Sequence, residues 1–278
     1  MQSLVLGTAQ WGNPYGVTNT QGRLTDEALA EIIAAAQGAG IGAIDTAGMY
    51  GDAECRLAPF ASGFNITTKV RGADPQSISA QLEASLAALG QGSVANCLIH
   101  DWAQLTEAQG KASAEQLRDV QSKGLVQQIG VSAYDETDLN RAVRIFGRLE
   151  IVQVPINVLD QRLTHSNILQ TLASEGAKIQ ARSVFLQGLL AERSDTKLGQ
   201  HPEVIKFHDW CESTGEQPIE VALSFIKAIA PITEVVIGVT TGAELNDLAH
   251  AWATCQQGLD TDGLASGAMA LLDPRTWA

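Results

Sequence analysis

Short apolar runs take turns along the whole chain with segments whose apolar residues recur every three or four positions. That alternation predicts parallel strands joined by helices. The runs are "SLVLGTA" (3–9), "IGAIDTA" (41–47), "FNITTKV" (64–70), "VANCLIH" (94–100), "VQQIGVS" (126–132), "EIVQVPI" (150–156), "AKIQARS" (177–183) and "EVVIGVT" (234–240). Between them, "TDEALAEIIAAAQGAG" has Thr25 to cap, Asp26 and Glu27 to favour the helix dipole, a stripe of Leu29, Ile32, Ile33 and Ala36, and Gly38 or Gly40 to stop. In "ADPQSISAQLEASLAALG", Asp74 is placed to cap, Pro75 suits the first turn, Ile78, Leu82, Leu86 and Leu89 share a face, and Gly90 ends the helix. Shorter stripes follow at Leu139, Val143 and Phe146, at Ile168, Leu169 and Leu172, and at Leu245, Leu248 and Trp252. The stretch 184–217 breaks the rhythm and reads as an inserted loop or extra helix.

Strand and helix alternating eight times in roughly 250 residues is the size of a (β/α)8 TIM barrel. No Pro-rich linker or low-complexity run divides the chain, so residues 1–278 are expected to form a single domain. The rival is a doubly wound open sheet, whose G-x-G-x-x-G should follow the first strand; "LGTAQWGNPYG" does not supply it.

With a net charge of −13, the chain offers no expected surface for nucleic acid or an anionic membrane. No apolar stretch approaches the ~18 residues of a membrane span, and the N-terminus lacks the basic region of a signal peptide. Cys55, Cys97, Cys211 and Cys255 are scattered without a C-x-x-C pair, so neither a metal site nor a redox pair is expected, and free thiols suit a reducing cytoplasm. No repeated apolar seam calls for an oligomer, which makes a monomer the expectation.

In a barrel of this kind, chemistry sits on the loops after the strand C-termini. Asp45 ends the second strand, Lys69 the third and His100 the fourth, with Tyr50 in the loop just after Asp45. Singly, each has an ordinary reading: a turn carboxylate, a solvated lysine, a structural histidine, a core aromatic. Jointly they suit carbonyl reduction. A phenol at pKa ~10 is a reluctant proton donor near neutral pH. An ammonium from Lys69 would stabilise the phenolate, Asp45 would hold that ammonium, and His100 would orient the substrate oxygen or share in proton delivery. A Schiff-base role for Lys69, as in an aldolase, is a competing use of the same residues. Trp11 and Trp102 follow strands one and four and are candidate walls of a substrate pocket.

The chain resembles the aldo-keto reductase family in "DTAGMYG" (45–51), "TTKV" (67–70), "CLIHDW" (97–102), "IGVSAY" (129–134), "VQVPINVLDQR" (152–162), "ARSVFLQGLL" (181–190) and "VIGVTTGAEL" (236–245). These motifs run in family order over nearly the whole chain. The resemblance implies reduction of a small-molecule aldehyde or ketone by NADP(H) or NAD(H), without a Rossmann domain. It makes Tyr50 the acid/base, Lys69 and Asp45 its tuning pair and His100 the orienting residue. It further implies that Ser132 and Gln153 meet the nicotinamide carboxamide, that the loop with Phe185, Gln187, Gly188 and Leu189 clasps the pyrophosphate, and that Thr8, Arg182 and Ser183 also bind the cofactor. Gly238, Thr240, Thr241 and Glu244 would border the adenosine.

Two departures from the family pattern matter. Arg182 stands where the family often has a tyrosine stacked on the nicotinamide. Where NADPH-preferring members usually offer Lys or Arg to the 2′-phosphate, Thr240, Thr241 and Glu244 offer none. The start "LGTAQWGNPYG" also looks like bacterial members found with sugar-modifying enzymes, which adds a keto-sugar to the expected substrates. A regulatory subunit that senses nicotinamide occupancy is the alternative to an enzyme. Trp277 in the short tail is expected to pack against the body of the protein.

Overall fold

The computed structural model describes residues 2–74, 76–256 and 258–277. Eight parallel strands, β1 (Ser3–Gly7), β2 (Ala43–Asp45), β3 (Asn65–Val70), β4 (Val94–Ile99), β5 (Val126–Ser132), β6 (Ile151–Pro155), β7 (Lys178–Arg182) and β8 (Glu234–Ile237), close into a barrel in sequence order. Closure comes from β8 pairing back on β1, with Ser3 opposite Glu234 and Leu6 opposite Ile237. All eight expected strands are present, most of them shorter than their apolar runs. The ladder stops at the rim, where the chain leaves for the loops: the run 41–47 is strand only over Ala43–Asp45, although Thr46 N still donates to Thr67 O at 2.8 Å.

Outside the barrel lie helices α1 (Ala9–Gly12), α2 (Asp26–Gly38), α3 (Ala53–Leu57), α4 (Ile78–Leu89), α5 (Glu107–Ser122), α6 (Glu136–Phe146), α7 (Ile168–Ser174), α8 (Pro202–Thr214), α9 (Pro218–Lys227), α10 (Gly242–Thr254) and α11 (Met269–Leu272). Most of the longer ones turn their apolar stripes to the barrel core. On α2, Leu29, Ile32, Ile33 and Ala36 are buried under a Thr25 cap, and on α4, Ile78, Leu82, Leu86 and Leu89 are buried. The cap of α4 differs from expectation. Ser77, not Asp74, accepts from Ala80 N at 3.2 Å, while Asp74 Oδ1 accepts from Gln76 N in a turn before the helix. Pro75 lies outside the described residues. Gly90 ends α4 at φ 63°, a left-handed conformation that glycine adopts without steric cost.

The irregular stretch 184–217 contains both of the forms expected of it. A turn-rich loop follows β7, and α8 then starts on Pro202 under a His201 cap. Leu186, Leu189 and Leu190 from that loop pack with Phe207 and Cys211 of α8 and with Leu271 and Leu272 of α11. Trp277 packs against this second core, its Nε1 donating to Leu271 O at 3.2 Å. All four cysteines are unpaired, and no described helix is long and apolar enough to cross a membrane.

The barrel interior is more polar than the branched aliphatic layers usual in this architecture. Asn96 donates to Thr67 Oγ1 at 2.8 Å, and Gln180 donates to Glu234 Oε2 at 2.6 Å. Gln153 donates to Gln180 Oε1 at 3.0 Å and to Asp45 Oδ1 at 2.6 Å. Buried polar groups avoid a desolvation penalty only through such partners, so these side chains hold one another in fixed rotamers.

Candidate active site

Asp45, Lys69 and His100 leave the C-terminal rim of adjacent strands, and Tyr50 is returned to the same rim by the loop after β2. That loop is clamped against α1. Gly51 has φ +62°, and a Cβ on Gly12 would lie 1.8 Å from the carbonyl oxygen of Tyr50. Glycine at both positions lets the two backbones touch, which fixes where the phenol emerges.

The ammonium of Lys69 is 1% exposed and donates three hydrogen bonds: to Asp45 Oδ2 at 2.6 Å, to Thr46 O at 3.0 Å and to Tyr50 Oη at 3.2 Å. Burial works against its charge, but Asp45 and Tyr50 outweigh it and hold the lysine pKa above its usual value. With every donor used and the charge favoured, Lys69 has no lone pair for a Schiff base. Asp45 is held in turn by Gln153 and, through its backbone oxygen, by Thr8 Oγ1 at 3.1 Å.

Tyr50 behaves differently from the sequence expectation. Lys69 does pull its pKa down, but burial is the larger influence and the phenol ends above its ordinary value. The site therefore holds tyrosine as a protonated phenol. Because Lys69 donates to Oη, the O–H of Tyr50 is left to point elsewhere. His100 stands edge-on to that ring, centroids 5.8 Å apart at 84°. Its pKa is lowered to about 3, chiefly by burial and further by Lys69 and Arg182, so the imidazole is neutral across the physiological range. His100 Nδ1 is buried without a protein partner. The buried Cys97 thiol is pushed up to about 12 by burial, which leaves it inert as a nucleophile.

Tyr50 and His100 lie at one end of a cavity of about 700 Å³. Thr8, Ser132, Gln153, Arg182, Ser183, Phe185, Gln187, Gly188, Gly238, Thr240 and Glu244 all line it. Leu189 and Thr241 do not. Leu189 is fully buried in the second core, and Thr241 caps α10 by accepting from Glu244 N at 3.1 Å. Nor do the two tryptophans reach the cavity. Trp11 and Trp102 are both 0% exposed. The backbone oxygen of Trp11 accepts from Arg56, while Trp102 packs on Phe146 and donates to Asp138 O at 3.0 Å. Both belong to the main hydrophobic core, so the expectation that they wall the pocket is corrected to core packing.

Among the cavity walls that sequence reasoning missed are Tyr15, Tyr134 and Arg275. Their signal is weak, since none ends a strand. The long loop after β1 carries Tyr15, and the tail folds back to bring Arg275 over Tyr134.

Two features suit an elongated anionic cofactor. The loop after β7 holds Ser183, Leu186 and Gln187 at φ 60°, 46° and 56°, a conformation costly for residues with side chains and concentrated at functional sites. Gly188, at φ +94°, lies so close to Thr18 that a Cβ would meet its hydroxyl at 1.8 Å, bringing the β1 and β7 loops together over the cavity. Across the cavity, a Cβ on Gly238 would approach the amide of Gln10 at 3.0 Å. At that end Glu244 accepts from Thr240 N at 2.7 Å and from Thr240 Oγ1 at 3.0 Å. A cavity of this volume, with backbone brought close at Gly188 and Gly238, fits a dinucleotide. Among the described residues, no group of three or more His, Cys, Asp or Glu could hold a metal ion.

A family model described as "Aldo/keto reductase family" matches residues 3–258. Among solved structures, the glycerol dehydrogenase of Gluconobacter oxydans superposes with a TM-score of 0.71 at 19% identity, covering 98% of this chain and 92% of that one. An aldo-keto reductase of Bacillus halodurans in its holo form gives 0.73 at 13% identity, covering 94% and 90%. At these identities the likeness is one of fold. No curated protein matches the chain at a significant level.

Proposed function

Because the chain belongs to the aldo/keto reductase family, and so is an NAD(P)H-dependent oxidoreductase, we propose that Tyr50, Lys69, Asp45 and His100 reduce the carbonyl of an aldehyde or ketone, sugar-like carbonyls included. The observation that carries this reading is the buried chain Asp45, Lys69, Tyr50, with its 2.6 and 3.2 Å contacts. A reduced nicotinamide, when bound, supplies hydride. Tyr50 supplies the proton. Its O–H is directed at the carbonyl oxygen because Lys69 occupies the other side of Oη, and once that proton leaves, the Lys69 ammonium stabilises the phenolate. Asp45 keeps Lys69 charged and in place. Neutral His100 orients the carbonyl by a hydrogen bond and excludes water from its face.

Ser132 and Gln153 border the nicotinamide end. Gln153 gives its amide N–H groups to Asp45 and Gln180, so its part there is to position Asp45. Glu244, at the adenosine end with no lysine or arginine beside it in the loop after β8, disfavours a 2′-phosphate and supports NADH over NADPH.

A titration with NADH and NADPH, followed by tryptophan quenching, combined with turnover of an aldehyde panel, tests these assignments. Tyr50→Phe is expected to bind cofactor within about twofold of the native protein and to lose about 10²- to 10⁴-fold in kcat. Equal turnover by the variant would remove Tyr50 from the mechanism. Tight cofactor binding with negligible native turnover and a stable partner complex would instead favour the sensor reading.

A further inference from the structure

Arg182 has a neighbourhood that the reduction of a neutral carbonyl does not explain. It leaves the end of β7 into the same cavity as Tyr50 and His100. Its guanidinium lies over the ring of Tyr134, 4.4 Å from the centroid, and among the described residues its one side-chain hydrogen bond goes to the Ser183 hydroxyl at 3.2 Å. Among the described residues it makes no ion pair with a carboxylate. Arg275, from the tail, stacks on the same ring at 3.7 Å, but it is held by Asp273, with Nη2 to Oδ2 at 2.6 Å. One aromatic ring thus carries two guanidinium groups, one of them neutralised and the other not.

The acidic groups on the cavity wall are placed elsewhere. Asp45 is paired with Lys69, Glu244 is occupied by Thr240 at the adenosine end, and Glu192 is exposed on the loop after β7. Arg182 is close enough to Tyr50 and His100 for its charge to act on both, beside the larger effects of burial and Lys69. A guanidinium in such a place, over a tyrosine ring and with no carboxylate partner among the described residues, is a ready partner for a planar or tetrahedral anion.

Resting on the reductase reading above, we propose that Arg182 is a specificity residue that binds an anionic group on the substrate, so that the preferred substrates are carbonyl compounds carrying a carboxylate or a phosphate. The anion pairs with the guanidinium while the carbonyl oxygen faces Tyr50 and His100. Tyr134 and Arg275 act as positioning residues: the ring supports Arg182 from beneath, and the second cation, tied to Asp273, adds to the local positive potential. Within a chain of net charge −13 this is a local exception, and it is the acid/base end of the cavity that holds it.

The test compares matched pairs on the purified protein with saturating cofactor: 4-formylbenzoate against its methyl ester, and glyceraldehyde 3-phosphate against glyceraldehyde. The charged member of at least one pair is expected to show a kcat/KM tenfold or more above its neutral partner, and which pair does so distinguishes carboxylate from phosphate. Arg182→Met should bring that ratio near one, chiefly through KM, and Arg182→Lys should restore part of it. Equal kcat/KM within both pairs, or a ratio that survives Arg182→Met, overturns the proposal.

Calorimetric binding of each charged and neutral compound needs no turnover and separates the two readings. Arg182-dependent binding of the anion without turnover keeps the anion site and sinks the reductase. Turnover of all four compounds without charge discrimination does the reverse.

Discussion

At the scale of single residues, the protonation states in the site follow from burial set against one salt bridge. His100 is the clearest case for measurement. Its folded pKa of about 3 lies below the ordinary 6.5, so between those values the unfolded chain binds a proton that the native protein refuses. Above pH 6.5 both states are neutral and nothing is lost; on acidification below it, this residue alone removes about 1.4 kcal/mol of stability per pH unit. Chemical denaturation from pH 7 to pH 4.5 is therefore expected to show a shallower loss for His100→Phe than for the native protein, and parallel curves would show that the imidazole is not held neutral. The four residues at the centre of the site were legible in the sequence because each sits at or just after a strand end. Gln153 lines the cavity where the resemblance puts a nicotinamide contact, but the bonds its amide N–H groups give to Asp45 and Gln180 form a link across the barrel interior that strand position does not reveal. A polar residue every second position inside an apolar strand was the available signal. The tryptophans were misread because following a strand says where a residue sits along the chain, and not which way its ring turns.

At the scale of elements, strands and helices were legible because period and capping are local. Thr25 and Gly90 act as the sequence implies, yet the cap of α4 moved from Asp74 to Ser77. Both residues are good caps, and only the path of the chain between β3 and α4 decides between them. Ser77→Ala is expected to cost about 1 kcal/mol by removing the acceptor for Ala80 N. Asp74→Ala should cost only a few tenths, since its one turn contact faces water. Thermal melts of the two variants check the order. The loop after β7 was legible as a break in the rhythm, but its backbone path was not, because three left-handed residues with side chains have no composition signature. The packing of Leu186, Leu189 and Leu190 into the second core, with Leu186 N donating to Ser183 O and Leu190 N to Phe185 O, holds that backbone in place.

At the scale of the whole molecule, the count of eight and the absence of a dinucleotide fingerprint were enough to choose a closed barrel over an open sheet. What the count hides is how tightly closure depends on particular contacts. Gly130 in β5 is one: a Cβ there would stand 1.7 Å from Ile151 O across the β5 to β6 ladder, with no flexible side chain to give way. Gly130→Ala is thus expected to destabilise the protein by at least about 3 kcal/mol, and denaturant unfolding measures it. A change under 1 kcal/mol would mean that the two strands can separate locally. The cavity belongs to no single strand, since its walls combine strand residues such as Gly7, Asp45, Ser132, Gln153 and Arg182 with the loops after β1, β2, β4, β5, β7 and β8 and with the tail.

The pairing of β8 with β1 also has a consequence for how the protein is made. Asp45, Tyr50, Lys69 and His100 have all left the ribosome's synthesis site within the first hundred residues, but the ring that holds them is still open until Glu234–Ile237 reaches Ser3–Leu6. The four candidate catalytic side chains are thus made early while the ring that carries them closes late, and a nascent chain halted before β8 carries all four before the barrel can close.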